Sequence, residues 1–279
     1  MAFKVGASLE TATTFATGSV ALVGSEYRAS VLITGGTPEF NAIQSYTVWA
    51  VYQPTGGTGE AGASDDVGGP ASDSTTVTVT ARTVTVAVSA ASAVTLGNPI
   101  TLTATLSPTA APGTVRFFAD GVDVSGAVAA DTTDGITTFN WSPPSVGDGT
   151  ATITASYTSS DAGYASQATS TSTNVTINPA TTSLVATAVQ TGAAGTTLTF
   201  TADLTSAFGA KTDIDGGTVT FSISGSACTG MAAVTVTDGV ATLTGVTCAP
   251  GTRQVTGTYS GSGNYAASDD TSNFQIVVA

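Results

Sequence analysis

Two cysteines and a handful of paired acids are the side chains in this 279-residue sequence whose types and spacing could do chemistry. Cys228 and Cys248 stand twenty positions apart, each after a strand-like run and before a turn. That placement lets them meet at one end of a β-structure, where a bond would stabilise the fold by about 3 kcal/mol in the chain-entropy account. Reducing surroundings keep such a pair as thiols and oxidising ones join it, so both states stay open at this point. Asp65 with Asp66, Asp131 with Asp134, Asp213 with Asp215, and Asp269 with Asp270 form close carboxylate pairs. A hard cation such as calcium binds carboxylate oxygens of this kind. Asp213 and Asp215, one residue apart, are the leading candidates, while the plainer reading of every pair is a turn-forming, solubilising acid.

The remaining inventory points away from catalysis. The chain has no histidine, which removes the commonest general base and the commonest metal ligand. Two cysteines are too few for a thiolate zinc site. Neither a Gly-x-Ser-x-Gly elbow nor a phosphate-cradling glycine loop occurs. A non-enzymatic protein without a cofactor is therefore expected. The net charge is −13, and the six basic residues (Lys4, Arg28, Arg82, Arg116, Lys211 and Arg253) are scattered singly. Nucleic acid requires clustered cations, and an anionic membrane surface repels such a chain, so neither is expected as a partner. No run approaches the roughly 18 apolar residues of a membrane span. The opening MAFKVGASLE lacks the basic and apolar regions of a signal peptide, so synthesis in a cytoplasm is expected.

The elements that position these residues read as strands. Hydrophobic residues make up 41% and charged residues 9%, so Ser and Thr must supply most of the wet surface. Val and Thr lose χ1 freedom in helices and suit strands. The chain also repeats itself. ITLTATL (100–106) answers LTFTADL (198–204), GTVRFF (113–118) answers GTVTFS (217–222), and DGITTFNW (134–141) answers DGVATLTG (238–245). ATITASY (151–157) answers TRQVTGTY (252–259), and NVTINPA (174–180) answers NFQIVVA (273–279). The offsets stay near a hundred residues, which means two copies of one domain. Leu102, Ala104 and Leu106 fall on one strand face and the intervening threonines on the other. About seven such strands per copy, with Gly or Asp-Gly turns between them, predict immunoglobulin-like sandwiches over residues 81–180 and 181–279. Pro179 sits at a short joint between them, which predicts a stiff tandem.

The second copy carries GTVTF, then DGVATLTGV, then GTRQVTGTYSGSGNYAAS. With these motifs it resembles the bacterial immunoglobulin-like repeat family; the first copy is looser, with NWSPPSVGDGT in place of a short connection. The resemblance is specific for fold and nearly silent on function. It implies that the phrase written twice, YTSSDAGYASQ (157–167) and YSGSGNYAAS (259–268), is a fold element. Tyr157 and Tyr259 would lie on the penultimate strand. Tyr164 and Tyr265 would follow a tight turn and offer hydroxyls to backbone groups, as in a tyrosine corner.

Residues 1–80 differ. SYTVWAVYQ (45–53) is rather apolar on both strand faces, and Phe3, Tyr27, Tyr46, Trp49 and Tyr52 concentrate aromatic side chains there. A strand of this kind is buried on both faces, in a core or against another chain. Residues 1–53 are read as an attachment or assembly segment, and the Gly-, Ser- and Asp-rich stretch 54–74 as a loop or hinge. A third, degenerate sandwich over 1–80 is the alternative.

Tailed bacteriophages display domains of this family on capsids, tail tubes and fibres, so the resemblance implies a virion structural protein assembled in the host cytoplasm. A capsid decoration protein is preferred over a tail-tube or fibre component, because a tube subunit needs a larger first β domain. Its partners would be the major capsid or tail protein and copies of itself, with a trimer as the guess, and cell-surface glycans as weak contacts. A surface adhesin needs an export signal or anchor. A carbohydrate-binding module needs several exposed aromatic residues on one flat face, and only Trp49 and Trp141 are tryptophans.

Overall fold

The computed structural model describes residues 2–5, 13–17, 21–23, 26–28, 44–51, 72–188, 191–193, 195–225, 228–270, 272 and 274–279. The chain is all-β, with a single 3-10 turn at Lys211–Asp213 among the described residues. It divides into two compact units, residues 1–84 with 158–166, and residues 85–157 with 167–279.

The first unit is built on a four-stranded antiparallel sheet in the order β2 (Thr13–Thr17), β1 (Ala2–Val5), β5 (Ser45–Val51), β6 (Ser72–Thr78). A separate hairpin pairs β3 (Ala21–Val23) with β4 (Glu26–Arg28). On β5, Tyr46 and Val48 are buried and pack with Val77 and Val79. Thr47, Trp49 and Ala50 are half-buried. Strand β6 takes in Ser72–Ser74, which corrects the expected loop: Val51 pairs with Ser72 and Trp49 with Ser74. Pairing uses backbone groups, so a stretch without apolar side chains can still close a sheet edge. The rest of that stretch, 54–71, lies outside the described residues.

The first sandwich comprises β7 (Thr85–Ser89), β8 (Ala93–Thr95), β9 (Ile100–Ser107), β10 (Gly113–Ala119), β11 (Val122–Asp123), β12 (Val128–Ala129), β13 (Ile136–Trp141), β14 (Thr150–Ser159) and β15 (Thr173–Asn178). One sheet runs β13-β9-β7 and the other β11-β10-β14-β15-β8, with β12 on β10. The second sandwich comprises β16 (Thr182–Ala188), β17 (Thr191–Gly192), β18 (Leu198–Ser206), β19 (Thr218–Ile223), β20 (Cys228–Thr229), β21 (Val234–Thr235), β22 (Val240–Cys248), β23 (Gly251–Tyr259), β24 (Ser268–Asp269) and β25 (Phe274–Val278). Its sheets run β16-β18-β22-β20 and β17-β25-β23-β19-β21, with β24 on β23. The short β8 and β17 each add in parallel to the last strand of their copy. The two copies therefore share one topology.

Alternation sets the cores. Along β9, Ile100, Leu102, Ala104 and Leu106 are buried between threonines that stay outside. Along β18, Leu198, Phe200, Ala202 and Leu204 do the same. Each fully buried Leu or Phe contributes about 1.5–3 kcal/mol through burial. Phe200 meets Phe221 across the second core with ring centroids 5.7 Å apart, and Phe117 stacks on Phe139 at 6.2 Å in the first.

Edge strands carry their own protection. On β7, the N–H of Val86 donates to Oε1 of Gln167 (2.6 Å), and that of Val88 to the Thr171 hydroxyl (3.4 Å). On β16, the N–H of Ala186 donates to Oδ1 of Asp270 (3.2 Å), and the Ser272 hydroxyl donates to the Ala186 carbonyl (3.1 Å). Side chains thus occupy backbone groups that would otherwise recruit a foreign strand.

Candidate functional site

The repeated tyrosine phrase builds the same polar arrangement in both copies. Ala151, Ile153, Ala155 and Tyr157 face inward on β14, as Val255 and Tyr259 do on β23. Tyr157 and Tyr259 are fully buried, and each hydroxyl donates to a carbonyl in the loop leading into the neighbouring strand. Tyr157 reaches Pro112 at 2.6 Å and Tyr259 reaches Gly216 at 3.2 Å. The expectation had placed hydroxyl capping on the second tyrosine of each phrase. The structure gives it to both first tyrosines, which strand parity points into the core, and, of the second ones, to Tyr265.

The second tyrosines mark a backbone clasp. Arg82, just ahead of the first sandwich, donates its N–H to the Gly163 carbonyl (2.8 Å) and accepts from the Ala165 N–H (2.9 Å). Ala180, just ahead of the second, donates to the Asn264 carbonyl (2.9 Å) and accepts from the Ala266 N–H (2.8 Å). Tyr164 and Tyr265 sit at the centres of these two parallel bridges. Tyr164 is half-buried and Tyr265 buried. The Tyr265 hydroxyl stands 3.5 Å from the Phe208 carbonyl. Burial, helped by the nearby Asp213 charge, pushes its pKa above the ordinary 10.0. The phrase therefore seals the point where the chain enters each sandwich.

Cys228 and Cys248 are directly opposite on β20 and β22, with Cα atoms 4.0 Å apart, and form a disulfide. Arg253 works at the same end of the second sandwich. Its Nη1 lies 3.4 and 3.3 Å from the Ser224 and Gly225 carbonyls, and its Nη2 lies 3.1 and 3.3 Å from those of Ala249 and Pro250. One guanidinium fork thus fastens two turns. Nothing local in the sequence distinguishes this cation from the other five.

Two of the carboxylate pairs serve turns, while Asp65 and Asp66 lie outside the described residues. The Asp213 carboxylate accepts from the Ala210 N–H (2.7 Å), and Asp215 accepts from the Asp238 N–H (2.8 Å). The calcium candidates thus serve two separate backbone groups, and no group of three or more metal-binding side chains occurs among the described residues. Asp131 accepts from the Thr133 N–H and Asp134 from that of Ile136. Backbone donation from Gly126 and the Arg116 side chain at 2.5 Å hold the Asp123 carboxyl below the ordinary carboxylate value. The Thr133 amide does the same for Asp131.

Of the assembly candidates, Phe3 and Tyr46 are buried by the chain itself, a correction to their expected role at an interface. Trp49 is half-buried, and its indole N–H has no hydrogen-bond partner among the described residues. Tyr27 lies on β4, and Tyr52 lies outside the described residues. Trp141 is buried at the end of β13, so it offers no face to a sugar.

Two sandwiches of common topology, each sealed by a buried tyrosine and an entry clasp, define a tandem immunoglobulin-like protein. The bacterial Ig-like domain (group 3) family matches the sequence twice, over residues 86–178 and 183–279, and the chain belongs to that family. No curated protein matches the sequence. Among solved structures, the apo form of β-glucuronidase 3 from Bacteroides uniformis is similar at 14% identity and a TM-score of 0.25, over 67% of this chain and 24% of that one. A tetra-tandem repeat from the extending region of a large adhesion protein is similar at 16% identity and a TM-score of 0.48, over 99% of this chain and 66% of that one.

Proposed function

We propose that the chain is a non-enzymatic virion structural protein: a capsid decoration protein whose N-terminal region attaches to the shell while its two immunoglobulin-like domains are displayed outward. The observation that carries the reading is a division of roles along the chain. Residues 86–178 and 183–279 are family repeats in which Gln167, Asp270 and Asp213 occupy backbone groups of edge strands and turns. The N-terminal unit holds a different sheet, and its strand β5 leaves Trp49 half-buried on the face opposite Tyr46 and Val48. An apolar side chain of that size, incompletely covered, suits contact with a second protein. The partners on this reading are the major capsid or tail protein and further copies of the chain, assembled in the host cytoplasm.

Light scattering on the full chain, beside a chain of residues 80–279 that keeps the Arg82 clasp, tests the reading. A trimer or larger species that becomes a monomer on removal of the N-terminal unit supports an assembly role. Two monomers would count against it.

A cell-surface adhesin is the second reading, and the Cys228–Cys248 disulfide favours it, because such bonds persist in oxidising surroundings. Alkylation at the moment of lysis separates the two. Virion assembly expects two free thiols in the producing cytoplasm and a bond only after release, whereas an exported adhesin acquires its bond on export.

A further inference from the structure

The first sandwich meets the second through residues that the repeat itself does not require. We propose that Asn264, Phe208 and the inter-sheet loop 142–149 form a dedicated joint that holds the two sandwiches as one rigid body. Oδ1 of Asn264 accepts the Val146 N–H at 3.0 Å, across 118 positions of sequence. The Asn264 backbone carbonyl accepts the Ala180 N–H at 2.9 Å. One residue therefore ties both the linker and the preceding sandwich. Phe208 makes a second contact. Gly97, in the turn between β8 and β9, lies so close that an added Cβ would stand 3.1 Å from the Phe208 Cβ. The Phe208 ring packs on Tyr265, with centroids 6.2 Å apart. Between β15 and β16 the linker is Pro179, Ala180 and Thr181; Ala180 is 2% exposed, and Pro179 has a fixed φ.

The other copy supplies the comparison. Where the second sandwich has Asn264, the first has Gly163, and the same carbonyl bond forms there, to Arg82 at 2.8 Å. The clasp needs only backbone at that position, so the Asn264 side chain is free for the joint. The turn of the first sandwich that corresponds to the Phe208 loop, residues 107–113, carries no aromatic residue. The inter-sheet loop that reaches Asn264 spans 142–149 in the first copy, but between β22 and β23 of the second it is only Ala249 and Pro250. Three departures from the common repeat therefore converge on one junction, which is where selection for a joint would place them.

Residual dipolar couplings measured on the full chain test this. In the wild type the two sandwiches are expected to report one common alignment tensor. In the double variant N264G/F208A the common tensor is expected to be lost, with core shifts around Leu102 and Leu204 unchanged. N264G alone installs the residue already present at position 163, so it keeps the clasp and is expected to reduce the agreement between the two tensors even if F208A disturbs the packing of Tyr265. Distinct tensors in the wild type, or a common tensor retained in N264G and in the double variant, would overturn the proposal.

Discussion

Removing one hydroxyl from the repeated phrase is the sharpest test of why the chain writes it twice. Tyr157 is 1% exposed, and its hydroxyl donates to the Pro112 carbonyl at 2.6 Å. Tyr157→Phe keeps the ring and its apolar burial, so the loss is confined to that bond. A net hydrogen bond is worth about 0.5–1.5 kcal/mol, and an acceptor left unsatisfied costs about 1–3 kcal/mol. Pro112 is only half-buried, so partial hydration offsets part of that cost, and a loss of about 1–2 kcal/mol is expected. For a domain of about a hundred residues this lowers Tm by roughly 4–16 °C. Tyr259→Phe should cost less, about 0.5–1 kcal/mol, because its bond to Gly216 is longer at 3.2 Å. Tyr164→Phe, at a half-buried site, should stay within about 0.5 kcal/mol. Calorimetry and urea titration of the three variants give the comparison. If Tyr157→Phe behaves like Tyr164→Phe, the buried hydroxyl contributes nothing and the fold reading of the phrase fails.

Opening the disulfide by C228S/C248S removes a closed loop of about twenty residues, worth about 3 kcal/mol in the chain-entropy account; the second sandwich should then melt earlier, by roughly 12–24 °C, with little change in the first, as followed by calorimetry. Gly217→Ala should be among the most damaging single changes, since Gly217 has φ +66° and an added Cβ would stand 2.2 Å from the Gly261 carbonyl oxygen; strain alone costs about 1–3 kcal/mol, and a clash adds to it, so urea titration should show a loss of at least that size. Asp123 is a pH test: its folded-state pKa is lowered, so its contribution is present above the ordinary value of 3.8 and is lost as pH falls through the folded value. Wild type should therefore exceed D123N in urea midpoint at neutral pH, and the gap should close in strong acid.

Much of the architecture was legible because one rule generated it. Alternating Thr with Val, Leu or Ala fixes which face is inside, and the repeat fixes which strands correspond. The same parity rule also contained the answer about the tyrosines. Counting inward from Ile153 by twos lands on Tyr157, and from Val255 on Tyr259, which leaves Tyr164 and Tyr265 beyond the strand ends. What stayed hidden depends on contacts between distant residues. Nothing near Gln167 signals that its amide will occupy the Val86 N–H, and nothing near Arg253 signals a fork over four carbonyls. Strand β5 was opaque for another reason. With apolar residues on both faces, its pattern does not choose an inward side, so Tyr46 reads as an interface residue although the chain buries it itself.

The two copies carry an internal argument about function. What they share is the buried tyrosine hydroxyl and the entry clasp, which the fold needs. The departures already described fall at strand ends. Asn264, Phe208 and the 142–149 loop stand between the sandwiches. The disulfide and the Arg253 fork stand at the other end of the second sandwich, where β22 finishes and β23 begins. A module that diverges to recognise a ligand changes side chains on one exposed face or in one loop cluster, and leaves polar groups there without structural employment. The departures named here, Asn264, the disulfide and Arg253, bond to the neighbouring sandwich, to each other or to backbone. Divergence of that kind alters how firmly the domains are held, which is what a structural spacer requires and what a reactive or ligand-reading surface does not.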